Sequence, residues 1–229
     1  MQGFRRAITR GRGLMGVTLG GLLMLCSGLY AQAAPVTFNF SGTLDAVDPA
    51  LAGTFSAGQT LTGSYTFEST TLPRLGGNAN SAVYDALSDV NFTLGSYSAS
   101  STGAPEIQVD NNPGLPFHDR YALVARASDG LTGPTVGSST LSAFGFRLDD
   151  STDTVFSTAL ALPTNLSLTD FDSNAFFLFF TGPHAEFQLL SGTLTEFAPV
   201  PEPSTFLLLG AGIVGIAARR FRKKGEQPL

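Results

Sequence analysis

No tryptophan occurs in the 229 residues, histidine occurs twice, cysteine once, and lysine is missing from the whole of 35–200. Each shortage closes off some chemistry. The lone Cys26 lies in an N-terminal apolar stretch, so 35–200 holds no thiol and forms neither a disulfide nor a cysteine metal site. The two histidines, His118 and His184, are isolated and supply neither a His-Glu-x-x-His pattern nor a Cys/His cluster, which excludes a zinc site of either kind. Without tryptophan, an aromatic platform for sugars would fall to Tyr65, Tyr84, Tyr97 and Tyr121. These lie in strand-like runs, where core packing is the expected role. The want of lysine leaves Arg74, Arg120, Arg126 and Arg147 against sixteen Asp and Glu, a net charge of −12 over 35–200. A domain so charged repels nucleic acid, and it repels anionic polymer unless cations intervene.

What the chain does have is concentrated at its ends. Arg5, Arg6, Arg10 and Arg12 precede an apolar run over 14–29, and Ala31-Gln32-Ala33 follows as an A-x-A site. This is the order of a secretory signal peptide, with cleavage after Ala33 or Ala34. Residues 1–34 are therefore expected to be a signal helix that is removed. Leu25 stands where a lipobox before Cys26 wants a small residue, and the residues after Arg5-Arg6 match the twin-arginine pattern poorly, so the general secretory route is favoured. At the other end, Pro201-Glu202-Pro203 is followed by the uncharged, proline-free run 206–218 and then by Arg219, Arg220, Arg222, Lys223 and Lys224. The prolines stop a helix from running back into the domain. Ser204 or Thr205 is placed to cap the helix that begins there. A helix over 206–218 is roughly 20 Å long, short of the ~30 Å hydrocarbon layer. Local thinning and snorkelling of the flanking basic side chains cover that deficit. The spacing thus predicts a transmembrane helix over 205–218 with its basic end in the cytoplasm.

The tail, with its Pro-Glu-Pro triplet, short helix bearing Gly210, Gly212 and Gly215, and terminal Arg/Lys cluster, resembles the PEP-CTERM sorting signal of Gram-negative bacteria. The resemblance covers 200–229. It implies recognition by an exosortase-type membrane transpeptidase near Pro201, Glu202 and Pro203. It also implies passage through the inner membrane, anchored in transit, to the cell surface or matrix, often alongside exopolysaccharide. It carries no implication for the domain between.

That domain, 35–199, reads as all-β. Val36, Phe38 and Phe40 alternate with polar residues, as do Leu61, Tyr65 and Phe67, then Val90, Phe92 and Leu94. Further strands are expected at 106–109, 121–126, 141–148, 175–181 and 186–197, and 82–88 leans to strand. Long loops are expected at 70–80, 111–117 and 150–170. Eight or nine strands with such turns suggest an antiparallel β-sandwich of jelly-roll type. The run Phe176 to Phe180 is apolar on both faces and should be a central strand covered on both sides. Ser-Gly-Thr-Leu occurs at 41–44 and again at 191–194, a hint that the first and last strands lie side by side.

No catalytic signature stands out. His118-Asp119 supplies two parts of a triad without a Gly-x-Ser-x-Gly elbow, and His184 follows Gly182-Pro183 in a turn. Acid pairs for glycoside hydrolysis are not singled out by spacing. No cofactor is expected. Calcium is the one metal with enough oxygen ligands, and Asp149, Asp150 and Asp153 form the densest group, with Asp170 and Asp172 close in sequence and Asp110-Asn111-Asn112 elsewhere. None fits the EF-hand loop, and Asp and Asn also serve ordinary turns. Threonine pairs at 60/62, 152/154 and 193/195 have no common period, which argues against ice binding. The expectation is a non-enzymatic, structural or adhesive surface protein of exopolysaccharide or biofilm. A calcium-assisted polysaccharide-binding module is the alternative, and a matrix hydrolase a third.

Overall fold

The structure, a computed structural model, describes residues 35–111 and 118–201. The signal segment 1–34, the helix 205–218 and most of the 111–117 loop lie outside the described residues. Among the described residues no helix is long and apolar enough to cross a membrane.

Among the described residues eleven strands form, in order, β1 (Pro35–Val47), β2 (Thr60–Glu68), β3 (Ser81–Tyr84), β4 (Leu87–Leu94), β5 (Tyr97–Ser101) and β6 (Glu106–Asp110). They continue with β7 (Asp119–Arg126), β8 (Leu131–Thr132), β9 (Thr140–Asp150), β10 (Ser173–Thr181) and β11 (Phe187–Pro199). The expected run at 90–97 divides, because Gly95 takes a left-handed φ of 59° and turns the chain between β4 and β5. β5 and β8 are rich in Ser and Thr or very short, so they escape a reading based on apolar alternation.

All neighbouring strands pair antiparallel, as expected. The division into two sheets is not what forms. The strands make one continuous sheet, ordered β3-β6-β7-β9-β10-β11-β1-β2-β4-β5-β8. That sheet is curled into a half-barrel. β2 and β7 stand five places apart, roughly 24 Å across a flat sheet. Yet the Tyr65 and Tyr121 hydroxyls meet at 3.0 Å. β4 and β9 are also five places apart, and the Phe92 and Phe144 rings stack at 4.2 Å between centroids. Aromatic size drives the curl. Phe38, Tyr65, Phe144, Phe146 and Phe176 are fully buried on the concave face, where flat strands would leave them in water. The edges, β3 and β8, are four and two residues long, which limits pairing with other chains.

β1 and β11 pair side by side, and the two Ser-Gly-Thr-Leu copies meet there, with Thr43 opposite Thr193. Their glycines have a shared purpose. A Cβ on Gly42 would stand 2.7 Å from the Thr193 carbonyl oxygen and 3.0 Å from the Phe176 ring, and one on Gly192 would strike the same ring and the Thr43 carbonyl. The repeated glycine is the floor on which Phe176 lies.

The Phe176 to Phe180 segment is central, between β9 and β11, as expected. Its two faces differ, which corrects the expectation of cover on both. Phe176, Leu178 and Phe180 are buried, whereas Phe177 and Phe179 are half-buried on the convex face with their rings 6.2 Å apart. The long β9–β10 loop adds Ala159, Leu162 and Leu166 to the core. The Tyr84 hydroxyl holds it by donating to the Ala159 carbonyl at 2.5 Å.

Candidate functional site

Three places in the fold carry chemistry beyond packing. The first is where β7 and β9 begin and end. Asp119 and Asp150 are direct partners across these strands, an arrangement of like charges that needs compensation. The compensation comes from the β9–β10 loop. Asp150, 3% exposed, accepts from the Thr152 and Thr154 backbone N–H groups at 2.9 and 2.8 Å and from both their hydroxyls. Burial pushes its pKa up, but these four bonds outweigh burial and bring it down to about 2. Asp119, fully buried, accepts from the Phe156 N–H at 2.7 Å on one oxygen, and its other oxygen, Oδ1, has no hydrogen-bond partner among the described residues. Burial, with Asp153 and Asp150 nearby, raises its pKa against the pull of that bond. Asp153 takes a left-handed φ of 57°, tolerated by Asp, and places its carboxylate 3.3 Å from both the His118 Nδ1 and the Asp119 N–H. Asp172 accepts from the backbone and hydroxyl of Ser151, which lower its pKa. Asp149 faces Arg120 at 2.6 Å and Arg147 at 3.3 Å.

The structure thus brings together Asp119, Asp150, Asp153 and His118, but each acid is spent on organising the loop. Among the described residues no group of three or more His, Asp, Glu or Cys is arranged to hold a metal ion. His118 pairs with Asp153, and no hydroxyl bonds to its imidazole among the described residues. His184 sits in the β10–β11 turn, where its N–H donates to Glu186 at 2.9 Å. Asp110 accepts from Ser81 and Gln108, and Asp170 caps the short turn at Leu168–Asp170.

The second place was not singled out in the sequence. Outward positions of six neighbouring strands line up into rows of hydroxyls and amides. One row runs Thr195, Ser41, Thr62, Thr93 and Ser98, and the next Asn39, Ser64, Asn91, Ser100 and Thr132. None of these ten is charged, but two carboxylates border them: Glu196, opposite Ser41, accepts from its hydroxyl at 3.2 Å, and Asp89 accepts from the Asn91 amide at 2.9 Å. Strands spaced ~4.8 Å apart set one repeat of the array and alternate residues at ~6.8 Å the other. Neighbours bond laterally: Thr62 to Thr93 at 2.8 Å, Ser41 to Thr195 at 3.2 Å and Ser64 to Asn91 at 3.3 Å. A shallow groove of about 620 Å³ crosses β2, β4, β5 and β8 here, over Thr62, Asn91, Thr93, Ser98 and Thr132. The threonine pairs at 60/62 and 193/195 belong to the strands of this face, whereas Thr152 and Thr154 serve Asp150. The sign in the sequence was the alternation of small polar residues opposite the aromatic ones, but their alignment depended on strand register.

The third place is the way out of the domain. Val200 donates its N–H to the Thr37 carbonyl at 2.8 Å, the last bond of the sheet, and Pro201 is exposed directly after it. Glu202, Pro203 and the basic cluster lie outside the described residues. The fold defines an all-β domain whose last strand, β11, leads directly to the C-terminal segment. Residues 199–223 match the family model of the PEP-CTERM protein-sorting motif, so the chain carries that sorting motif, consistent with a PEP-CTERM domain-containing protein. The motif implies export, recognition by an exosortase and processing during membrane transit. No curated protein and no solved structure matches the chain.

Proposed function

We propose that the protein is a non-enzymatic component of the cell surface or extracellular matrix, processed at its PEP-CTERM tail, whose hydroxyl- and amide-lined face binds neutral polysaccharide. The observation that carries this reading is the face itself. Ten outward positions on neighbouring strands offer hydrogen bonds and carry no charge of their own, bordered by the carboxylates of Glu196 and Asp89, on a domain whose net charge is −12. Neutral, hydrated glycan is the polymer that suits such a surface, since each weak bond of ~0.5–1.5 kcal/mol is repeated along a repeating ligand. What supports the absence of catalysis is that among the described residues His118 is engaged with Asp153 and with no nucleophile, and that Asp149, Asp150 and Asp153 are committed to arginines, threonines and the loop. A role within exopolysaccharide or biofilm is part of this proposal, and the sorting tail and the hydroxyl- and amide-lined face are what support it.

A glycan array tests it, run once with calcium and once with chelator. Binding is expected in both, and a Thr62→Val/Asn91→Ala/Thr93→Val variant should lose most of it. Absence of binding by the unaltered protein, or binding untouched in the triple variant, removes the polysaccharide reading. Binding seen only with calcium would return Asp149, Asp150 and Asp153 to metal duty. Fractionation of cells with and without exosortase tests processing separately. A full-length protein in the inner membrane of both removes that part.

A further inference from the structure

Two leucines of the β2–β3 loop are held where the domain gives them nothing to touch. Leu72 is 83% exposed and Leu75 is wholly exposed. The segment that carries them is braced. The Thr71 N–H donates to the Glu68 carbonyl at 3.2 Å and the Arg74 N–H to the Val83 carbonyl at 2.8 Å. The Arg74 guanidinium bonds Asp85 through Nε at 2.9 Å and Glu106 through Nη1 at 2.9 Å. The arginine between the two leucines is therefore neutralised by its own domain, and what the loop offers outward is apolar.

The root of the loop lies beside the exit of the tail, while Arg74 anchors its middle to Val83 of β3 and Glu106 of β6. The loop leaves β2 at Glu68, which lies opposite Pro35 at the start of β1. On the other side of β1, Phe38 lies opposite Pro199 and Thr37 receives the Val200 N–H. Loop and tail therefore leave the sheet on either side of one strand, roughly 10 Å apart. Five residues, 201–205, separate Val200 from the apolar run that begins at Phe206. Fully extended, the six steps from Val200 to Phe206 span about 21 Å. A tail seated in a bilayer keeps this end of the domain within that distance of the apolar layer.

We infer that the Leu72–Leu75 loop docks on the lipid surface into which the sorting tail inserts, so that the protein meets the membrane at two points. The inference rests on the membrane reading of the tail. Its contact is apolar, so it does not depend on anionic lipid, which the acidic domain repels. The tether makes a weak contact sufficient, because it fixes the loop at high local concentration beside the bilayer. Two points of attachment set the height and orientation at which the Pro201–Pro203 segment is offered to a membrane-embedded transpeptidase.

The test uses the mature full-length chain, which has no cysteine once residues 1–34 are removed, reconstituted in phosphatidylcholine vesicles. An environment-sensitive fluorophore is placed singly at Leu72→Cys, Leu75→Cys, Gly215→Cys in the tail, and Ser138→Cys next to β9 at the other end of the strands. Spin-labelled lipid is the quencher. Labels at 72, 75 and 215 should lose at least half of their emission, and the label at 138 should keep it. A Thr70→Cys label should also be quenched, and Leu72→Ser/Leu75→Ser should abolish that effect. These exposed leucines hold no part of the core, so the double variant should fold. Quenching at 215 without quenching at 72 and 75 overturns the docking and leaves the tail reading standing. Quenching at Thr70 that survives the double variant overturns it too, since nearness to the tail alone would then explain it. An unquenched label at 215 removes the tail reading, and the docking falls with it. Blue-shifted but unquenched labels at 72 and 75 assign the loop to a protein contact instead.

Discussion

Tyr65→Phe removes one oxygen atom from the middle of the protein and leaves a second one stranded. The Tyr65 and Tyr121 hydroxyls are 3.0 Å apart, and both side chains are fully buried. They come from strands five places apart in the sheet, so the bond exists only because the sheet folds over. Losing one partner leaves the other hydroxyl dry and unbonded, a cost of about 1–3 kcal/mol. Tyr121→Phe costs about the same for the same reason. In the double variant neither hydroxyl remains, so no group is stranded, and the loss falls to that of one buried bond, about 1 kcal/mol. The double-mutant cycle should therefore show a coupling of at least ~1 kcal/mol. Urea unfolding of the mature chain reads it as midpoints at constant slope, and thermal unfolding as ~2–4 °C per kcal/mol at this size. Additive single effects would mean that the two hydroxyls do not meet, and that the halves of the curled sheet are not opposed as described.

The same tyrosines set an alkaline limit. Burial raises Tyr65 well above its ordinary pKa and raises Tyr121 also, and it pushes Tyr97 up to about 12. The folded state therefore holds these protons more tightly than the unfolded state, so stability should be flat to about pH 9 and fall from pH ~10 upward. Stability flat to pH 12 would refute this. At the acid end Asp150 has the opposite sign. Its folded pKa of about 2 lies below the unfolded one, so it stabilises above about pH 4 and its contribution fades toward pH 2. Asp150→Ala should cost about 1–2 kcal/mol at pH 7 in thermal or urea unfolding and flatten that acid limb. Asp119→Asn should do the reverse and raise the melting temperature at pH 7, because it removes a buried charge whose pKa is raised by burial and by Asp153 and Asp150; a fall would show that the carboxylate is needed ionised. Gly192→Ala drives a methyl group into the Phe176 ring and the Thr43 carbonyl, and should destabilise by about 1–3 kcal/mol in the same assays.

Much of the strand pattern was open to reading from residue order. Phe38 and Phe40, or Leu61, Tyr65 and Phe67, alternate with polar neighbours, and alternation dictates which face of a strand is buried whatever the neighbouring strand. The central place of Phe176 to Phe180 was legible from the opposite sign, an apolar run without alternation. The acidic group around Asp150 was legible as a cluster but not as a clasp, because its use depends on Thr152, Thr154 and Phe156 folding back over β7 and β9. Leu72 and Leu75 gave no signal, since a leucine in a loop looks the same whether it is buried or not until Arg74 is seen to brace the loop from beneath.

The tail was readable directly, because a sorting motif is a linear segment: Pro201, Glu202, Pro203, the apolar run and the basic residues through Lys223 all lie in the matched stretch in the order in which they are written. The hydroxyl face could not be read that way. Its ten residues come from six strands, and a slip of one residue in any pairing would turn that strand's contribution inward. Whether those strands split into two sheets or curl as one was likewise settled by long-range packing of Phe92 on Phe144 and Tyr65 on Tyr121, between residues more than fifty positions apart in the chain. Local order determines which side of each strand is apolar, whereas the free energy of burying those sides against one another, which no local window contains, determines how the strands are arranged.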